Sequence, residues 1–337
     1  MTASHSERPT VAERARSRAT VAERARSRAT VAERARSRAT VAECARSRAT
    51  ELGYAAGWRL VRALPEPVAA RAFRLGADVA ARRGEHTQLR RNLGRVLGVA
   101  PAAVPHVVIR DALRSYARYW REAFRLPSAD HDAIRARVHA DGEEHIQAAL
   151  DAGRGVLLVL PHSGNWDVAG LWLVGRTGTF TTVAERLQPE SLFRRFVAYR
   201  ESLGFEILPM TGGESPVRGI VRRLRAGGAV CLVGDRDLSR VGVPVTFFGE
   251  LSRMPAGPAS IARSTGAALL PVDCFFAGDD WRIRIHPPVD PELDVAAATQ
   301  VVADRFAASI AAHPADWHML QPFWEADLPA RRRAGLA

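Results

Sequence analysis

The chain has 337 residues, 47% hydrophobic and 25% charged, a balance that excludes a disordered polypeptide, a collagen-like fibre and a protein made of many membrane spans. All 48 cations are arginine, and with 36 acids the formal charge is +12. Residues 1–50 hold 12 of those arginines and five glutamates, so the other 287 residues carry 36 arginines against 31 acids. A body with so small an excess argues against a dedicated nucleic-acid binder and suits an anionic membrane surface or a phosphorylated substrate.

Cys44, Cys231 and Cys274 have neither C-x-x-C nor metal-type spacing, which predicts no metal site and a reducing, cytosolic environment. No run of 18 uncharged apolar residues exists, and the start MTASHSERPT has no apolar stretch of the signal-peptide kind. The expectation is a protein that lies on a membrane rather than crossing it.

From Val11 to Thr50 the segment VAERARSRAT repeats four times, with Cys44 replacing one arginine. Ten residues advance a helix by about 1000°, so equivalent positions rotate by about 80° per repeat and no steady seam forms. Residues 1–50 therefore read as a low-complexity, solvated or marginally helical tail. Residues 51–330 read as one α/β domain and 331–337 as a C-terminal tail.

Leu52–Leu64 and Pro67–Arg83 predict two amphipathic helices separated by Pro65. Their apolar positions with flanking arginines suit a bilayer interface or an ordinary core face. Val104–Phe124 predicts a third helix, with Tyr116, Tyr119, Trp120 and Phe124 expected in the core rather than in a ligand box. A fourth helix, Gly142–Ala152, leads into GVLLVLP, Gly155–Pro161. An apolar run of that length between Gly and Pro predicts a strand buried on both faces. Strands over Phe180–Ala184, Phe205–Pro209, Ala229–Gly234, Ala268–Phe276 and Trp281–His286 follow. They alternate with helices over Pro189–Leu203, Pro216–Ala226, Pro255–Thr265 and Val295–His313. That alternation predicts a mostly parallel or mixed central sheet flanked by helices.

The segment LPHSGNWDVAG leaves the buried strand and enters a helix, with His162 at the mouth. Strand ends before helices are where α/β sheets place ligands. The H-x-x-x-x-D spacing predicts that the Asp167 carboxylate folds back onto one imidazole nitrogen and leaves the other to act as a base on a hydroxyl. Read structurally, His162 caps the helix and Asp167 complements its dipole. Ser163 lacks the G-x-S-x-G setting of a nucleophile. Amides around Ser163–Asn165 are candidate donors to an oxyanion. Phe247, Phe248, Gly249 and Met254 fit either an acyl channel or the core.

PHSGNWD (Pro161–Asp167), AERLQPESLFRRFVAYRESLGFEILP (Ala184–Pro209), VGDRDLSRVGVPVTFFGE (Val233–Glu250) and RMPAGPASIARSTGAALLPV (Arg253–Val272) occur in that order. Together they resemble the lysophospholipid acyltransferase superfamily, on the branch of the lipid A lauroyl and myristoyl transferases and the actinobacterial phosphatidylinositol mannoside acyltransferases. The likeness spans about Leu52 to Leu328. It implies a glycerol-3-phosphate acyltransferase-like fold and an acyl-CoA-dependent O-acyltransferase. The implied reaction moves a palmitoyl-type group from its coenzyme A ester, the co-substrate, to a mannose 6-hydroxyl of a phosphatidylinositol mannoside.

The resemblance implies His162 as general base with Asp167, and Asp235 beside the histidine, with Asp237 as a competitor. Arg200, Glu185 and Arg186 would handle substrate, while Arg236 either joins them or pairs with its acidic neighbours. The implied setting is peripheral, on the cytoplasmic face of the plasma membrane, with a glycolipid acceptor, no permanently bound cofactor and no nucleic acid. Other readings are an acyltransferase for a lysophospholipid or lipid A-like acceptor, and a non-catalytic arginine-rich membrane- or nucleic-acid-binding protein.

Overall fold

A computed structural model describes residues 53, 57–184, 190–209, 215–237 and 242–329, without the side chains of residues 191 and 192. The repeat segment, Glu185 and Arg186 lie outside the described residues. The described residues from Trp58 onward belong to one compact unit.

From residue 66 onward the α-helices are α1 (Glu66–Arg83), α2 (Thr87–Leu97), α3 (His106–Arg125), α4 (His131–Ala136), α5 (Glu143–Asp151), α6 (Trp166–Thr177), α7 (Glu190–Glu201), α8 (Pro216–Arg225), α9 (Gly257–Thr265) and α10 (Val295–Ala312), and residues 57–63 are helical as well. The strands are β1 (Val138–Asp141), β2 (Val156–Leu160), β3 (Phe180–Ala184), β4 (Phe205–Pro209), β5 (Ala229–Val233), β6 (Val243–Phe247), β7 (Glu250–Met254), β8 (Ala268–Ala277) and β9 (Asp280–Ile285). Seven strands form the main sheet in the order β1-β9-β8-β2-β5-β3-β4, and β6 and β7 form a separate hairpin. All neighbours in the main sheet are parallel except β8 and β9. The predicted α/β class and mixed sheet hold.

β2 occupies the centre because nothing in VLLVL tolerates water, and all five of its residues are buried. Leu157 and Val159 pack on one side with Leu224, Val230 and Phe306. Leu158 and Leu160 pack on the other with Leu171, Trp172 and Phe205. A strand covered on both faces can stay continuously apolar, as parallel sheets require.

Four elements are not foreseen by the sequence reading: α2, α4, β1 and the β6–β7 hairpin. β1 is only four residues, VHAD, alternately half-buried and exposed, too short and too polar for a periodicity signal. The hairpin turns at Phe248, whose φ is +50°, and Gly249, whose φ is +77°. Phe247 and Met254 are buried with Trp317, Phe323 and Trp324, which makes them core residues and removes the acyl-channel alternative for those two. Leu157→Ala should lower unfolding stability by about 2–5 kcal/mol, the usual range for a buried leucine cavity, measured by urea denaturation with an unchanged m-value.

Candidate active site

Register builds the site. In the parallel pair β2–β5, Leu160 faces Val233, and the Gly234 amide donates to the Leu160 carbonyl at 2.9 Å. Two residues beyond each partner lie His162 and Asp235, so the strand ends deliver them side by side. At Gly234 an added Cβ would sit 2.3 Å from Val159 Cγ2, so the turn into Asp235 has no room for a side chain.

Asp235 is fully buried. Its Oδ1 accepts from His162 Nδ1 at 2.5 Å. Its Oδ2 accepts from the His162 amide at 3.0 Å and from Trp317 Nε1 at 3.1 Å. Burial alone would raise the Asp235 pKa, but the charge of His162 and these hydrogen bonds outweigh it and hold the carboxyl below its ordinary value. An ionised carboxylate only accepts, so Nδ1 carries a proton, and in the neutral ring Nε2 is the bare acceptor. Nε2 has no hydrogen-bond partner among the described residues, and the ring lines a cleft of about 450 Å³.

Asp167 does not touch His162, contrary to the expectation from the H-x-x-x-x-D spacing. Asn165 caps α6 by accepting from the Asp167 and Val168 amides. This winds Asp167 into the first helical turn, where it is 1% exposed. There its Oδ1 accepts from Arg200 Nε at 2.8 Å and its Oδ2 from the Tyr119 hydroxyl at 3.2 Å. Burial works against the Arg200 charge, yet the Asp167 carboxylate outweighs it and keeps the guanidinium pKa above its ordinary value. Asp167 thus fixes an arginine of the cleft wall, while Asp235 fixes the imidazole. The competitor Asp237 instead accepts from the Gly242 amide at 2.8 Å.

Arg200 and Arg236 both line the cleft, the latter donating to Gln321 Oε1 at 2.6 Å. Ser163 and Asn165 do not. Ser163 is 2% exposed and Asn165 fully buried, and Asn165 Nδ2 donates to Glu122 Oε2 at 2.7 Å. Nor are the expected oxyanion amides available. The Ser163 amide donates to the Pro161 carbonyl at 2.7 Å and the Gly164 amide to the Asp316 carbonyl at 2.9 Å. The Asn165 amide is bonded to the buried Cys274 thiol. The turn spends these donors on its own tight geometry, with Gly164 at φ +58° against the backbone of Cys274.

The sequence reading missed the aromatic wall. Tyr116 and Trp120, expected in the core, line the cleft with Trp166 and Phe196, and Tyr119 behind them is buried as expected, at 3% exposure. Tyr119 lies 4.0 Å from Trp166 between ring centroids, and Trp166 meets His162 edge-on at 5.3 Å. Helical spacing could place these rings on one face of α3 but could not say what that face meets. The segment 316–318 was missed as well. Besides the Trp317 indole, which donates to Asp235, and the Asp316 carbonyl, which accepts from Gly164, the His318 amide donates to the His162 carbonyl at 2.8 Å. His318 also borders the cleft, but burial first, and then the nearby charge of His162, lower its pKa to about 3. It stays neutral at physiological pH.

The chain matches the family model described as bacterial lipid A biosynthesis acyltransferase over residues 45–326. It is 61% identical over 288 residues to the phosphatidylinositol mannoside acyltransferase of Mycolicibacterium smegmatis, covering 85% of this chain and 95% of that protein. It is 58% identical over 287 residues to the protein of the same name from Mycobacterium tuberculosis, covering 84% and 91% respectively.

Two outcomes test this geometry. Asp167→Ala should cost about 3–5 kcal/mol in chemical denaturation, because it leaves Arg200 charged and largely buried without its partner. For Asp235 the folded pKa is depressed, so its stabilisation is complete above the ordinary value of 3.8 and is lost as pH falls through the lower folded value. The stability gap between wild type and Asp235→Asn should therefore narrow as urea titrations move from neutral pH to below 3.8.

Proposed function

The chain belongs to the bacterial lipid A biosynthesis acyltransferase family, and from that premise we propose that it transfers a palmitoyl-type acyl group from coenzyme A to a mannose 6-hydroxyl of a phosphatidylinositol mannoside. The observation that carries this reading is the bare Nε2 of His162, facing the cleft while Nδ1 is anchored to a buried carboxylate. The names of the mycobacterial relatives support the acceptor.

In the proposed step, Nε2 takes the proton from the acceptor hydroxyl as its oxygen bonds to the thioester carbon. The C–S bond then breaks, and the leaving thiolate recovers the proton from the imidazolium. Asp235 stabilises that imidazolium and keeps the ring in the tautomer the step needs. His318, held neutral beside it, adds no competing positive charge. A thioester is already activated, so one base and two positioned substrates suffice without a covalent enzyme intermediate.

Arg200 and Arg236 are the cations of the cleft wall. Their guanidinium forks supply donors for the acceptor phosphate or for the carbonyl oxygen as charge develops on it. The rings of Tyr116, Trp120, Trp166 and Phe196 offer apolar faces to an amphiphile. In this reading the protein works on the cytoplasmic face of the plasma membrane. Leu60, Val68, Leu75 and Val79 are exposed apolar residues on or just before α1, where an interfacial helix needs them. Among the described residues no helix is long and apolar enough to cross a membrane.

His162→Ala should lower kcat for palmitoyl transfer by about 10² to 10⁴, the usual worth of a positioned general base, with the thermal unfolding transition retained. Asp235→Asn should lower kcat more than it changes KM. A folded His162→Ala protein with wild-type turnover would refute the base assignment. Faster turnover with a lysophospholipid than with phosphatidylinositol mannoside would refute the acceptor.

A further inference from the structure

A second cavity, of about 490 Å³, lies outside the cleft, bordered by α1, α3, α4 and the turn between β8 and β9. Its size falls within the range of small-ligand sites. Five arginines line it, Arg74, Arg118, Arg121, Arg125 and Arg137, against the carboxylates Glu66, Glu122 and Asp279. The wall therefore has two more positive than negative groups.

Asp280, just outside the lining, pairs with Arg137 at 2.8 Å and takes up one of the two, and the lining carboxylates do not take up the other. Glu122 is saturated: its Oε1 accepts from Arg118 Nε at 2.6 Å and Arg121 at 3.3 Å, and its Oε2 from Asn165 Nδ2 at 2.7 Å and Trp281 Nε1 at 2.8 Å. Glu66 is divided between Arg125 Nε at 2.7 Å and Arg121 Nε at 3.3 Å. The second of these contacts has ion-pair distance without hydrogen-bond geometry, and Arg121 Nε is a buried donor with no acceptor. Arg74 has no hydrogen-bond or ion-pair partner among the described residues. A buried guanidinium donor without an acceptor costs free energy unless something else supplies one.

The rest of the lining is apolar, with Pro67, Ala70, Leu126, Ile134 and Val168. Outside it, on the same helix as Arg74, Val68 and Leu75 are 48% and 63% exposed. Cationic donors inside a partly greasy hollow, next to exposed apolar side chains, match a phosphate group on an amphiphile better than a free carboxylate or a nucleotide base. Planar guanidinium forks favour phosphate oxygens.

We propose that this cavity is a phosphate-binding site distinct from the catalytic cleft, with Arg74 and Arg121 as its principal donors. The reading does not depend on the acyl-transfer proposal, because its test measures binding. Isothermal titration of inorganic phosphate into the full-length protein should give a Kd that Arg74→Ala weakens about tenfold, the value of one lost charge-assisted contact. Arg236→Gln, which removes a cation of the cleft, should leave the Arg74-dependent component of that binding in place. Arg121→Gln should weaken it similarly; if that variant fails to fold, Arg74→Ala decides, since Arg74 is exposed and unpartnered. Sedimentation with phosphatidylcholine vesicles, with and without phosphatidylinositol, identifies the source of the phosphate. Arg74-dependent retention on the phosphatidylinositol vesicles assigns a lipid headgroup, and phosphate binding without such retention assigns a soluble phosphate compound. Wild-type phosphate binding and vesicle retention in a folded Arg74→Ala protein, or loss of all phosphate binding in Arg236→Gln, would overturn the assignment.

Discussion

The buried carboxylate of Asp235 is the constraint on which the site depends. With no exposure to water it must receive its hydrogen bonds from the protein, and it receives them from the ring of His162, the backbone of His162 and the indole of Trp317. Those three donors set the position of the turn after β2, the tautomer of the imidazole and the place of the segment 316–318. Losing any of them would leave a buried charge under-solvated, which is costly in a low-dielectric interior. The rigidity of the site thus follows from electrostatics as much as from packing.

A second polar chain runs beside the first without joining it. Glu122 holds Asn165, Asn165 caps α6, and α6 presents Asp167 to Arg200 and Tyr119. Through this chain α3 and α7 are tied to the helix that follows His162. The two carboxylates of the site therefore divide the labour. Asp235 governs the proton inventory of the imidazole, and Asp167 governs the direction of a cation in the wall. Both chains are buried and saturated, so each can be perturbed only at a cost to the fold.

The same saturation accounts for the fate of the turn amides. A turn that passes within van der Waals distance of the Cys274 backbone at Gly164 has to bond its own N–H groups internally, because no water reaches them. In the proposed reaction, charge arising in the cleft falls to Arg200, which Asp167 already holds in place, and to Arg236 from the loop after a strand.

From the residues alone came the α/β class, the two-sided burial of VLLVL, most helix and strand positions, and His162 at a strand end. Each of these depends on local periodicity or on the chemistry of a few adjacent side chains. Asp235, just beyond a buried strand, is marked by the family resemblance as the acid beside the histidine. Only the tertiary structure decided that, of the two acids expected beside His162, Asp235 alone touches the imidazole, that Asp167 pairs with Arg200, and that Tyr116 and Trp120 border a cleft while Tyr119 is buried. Strand order and register determine which distant residues become neighbours, and no spacing along one segment encodes them. The H-x-x-x-x-D interval could not show that a helix cap would wind Asp167 away from the ring, since that depends on Asn165 finding Glu122 on another helix.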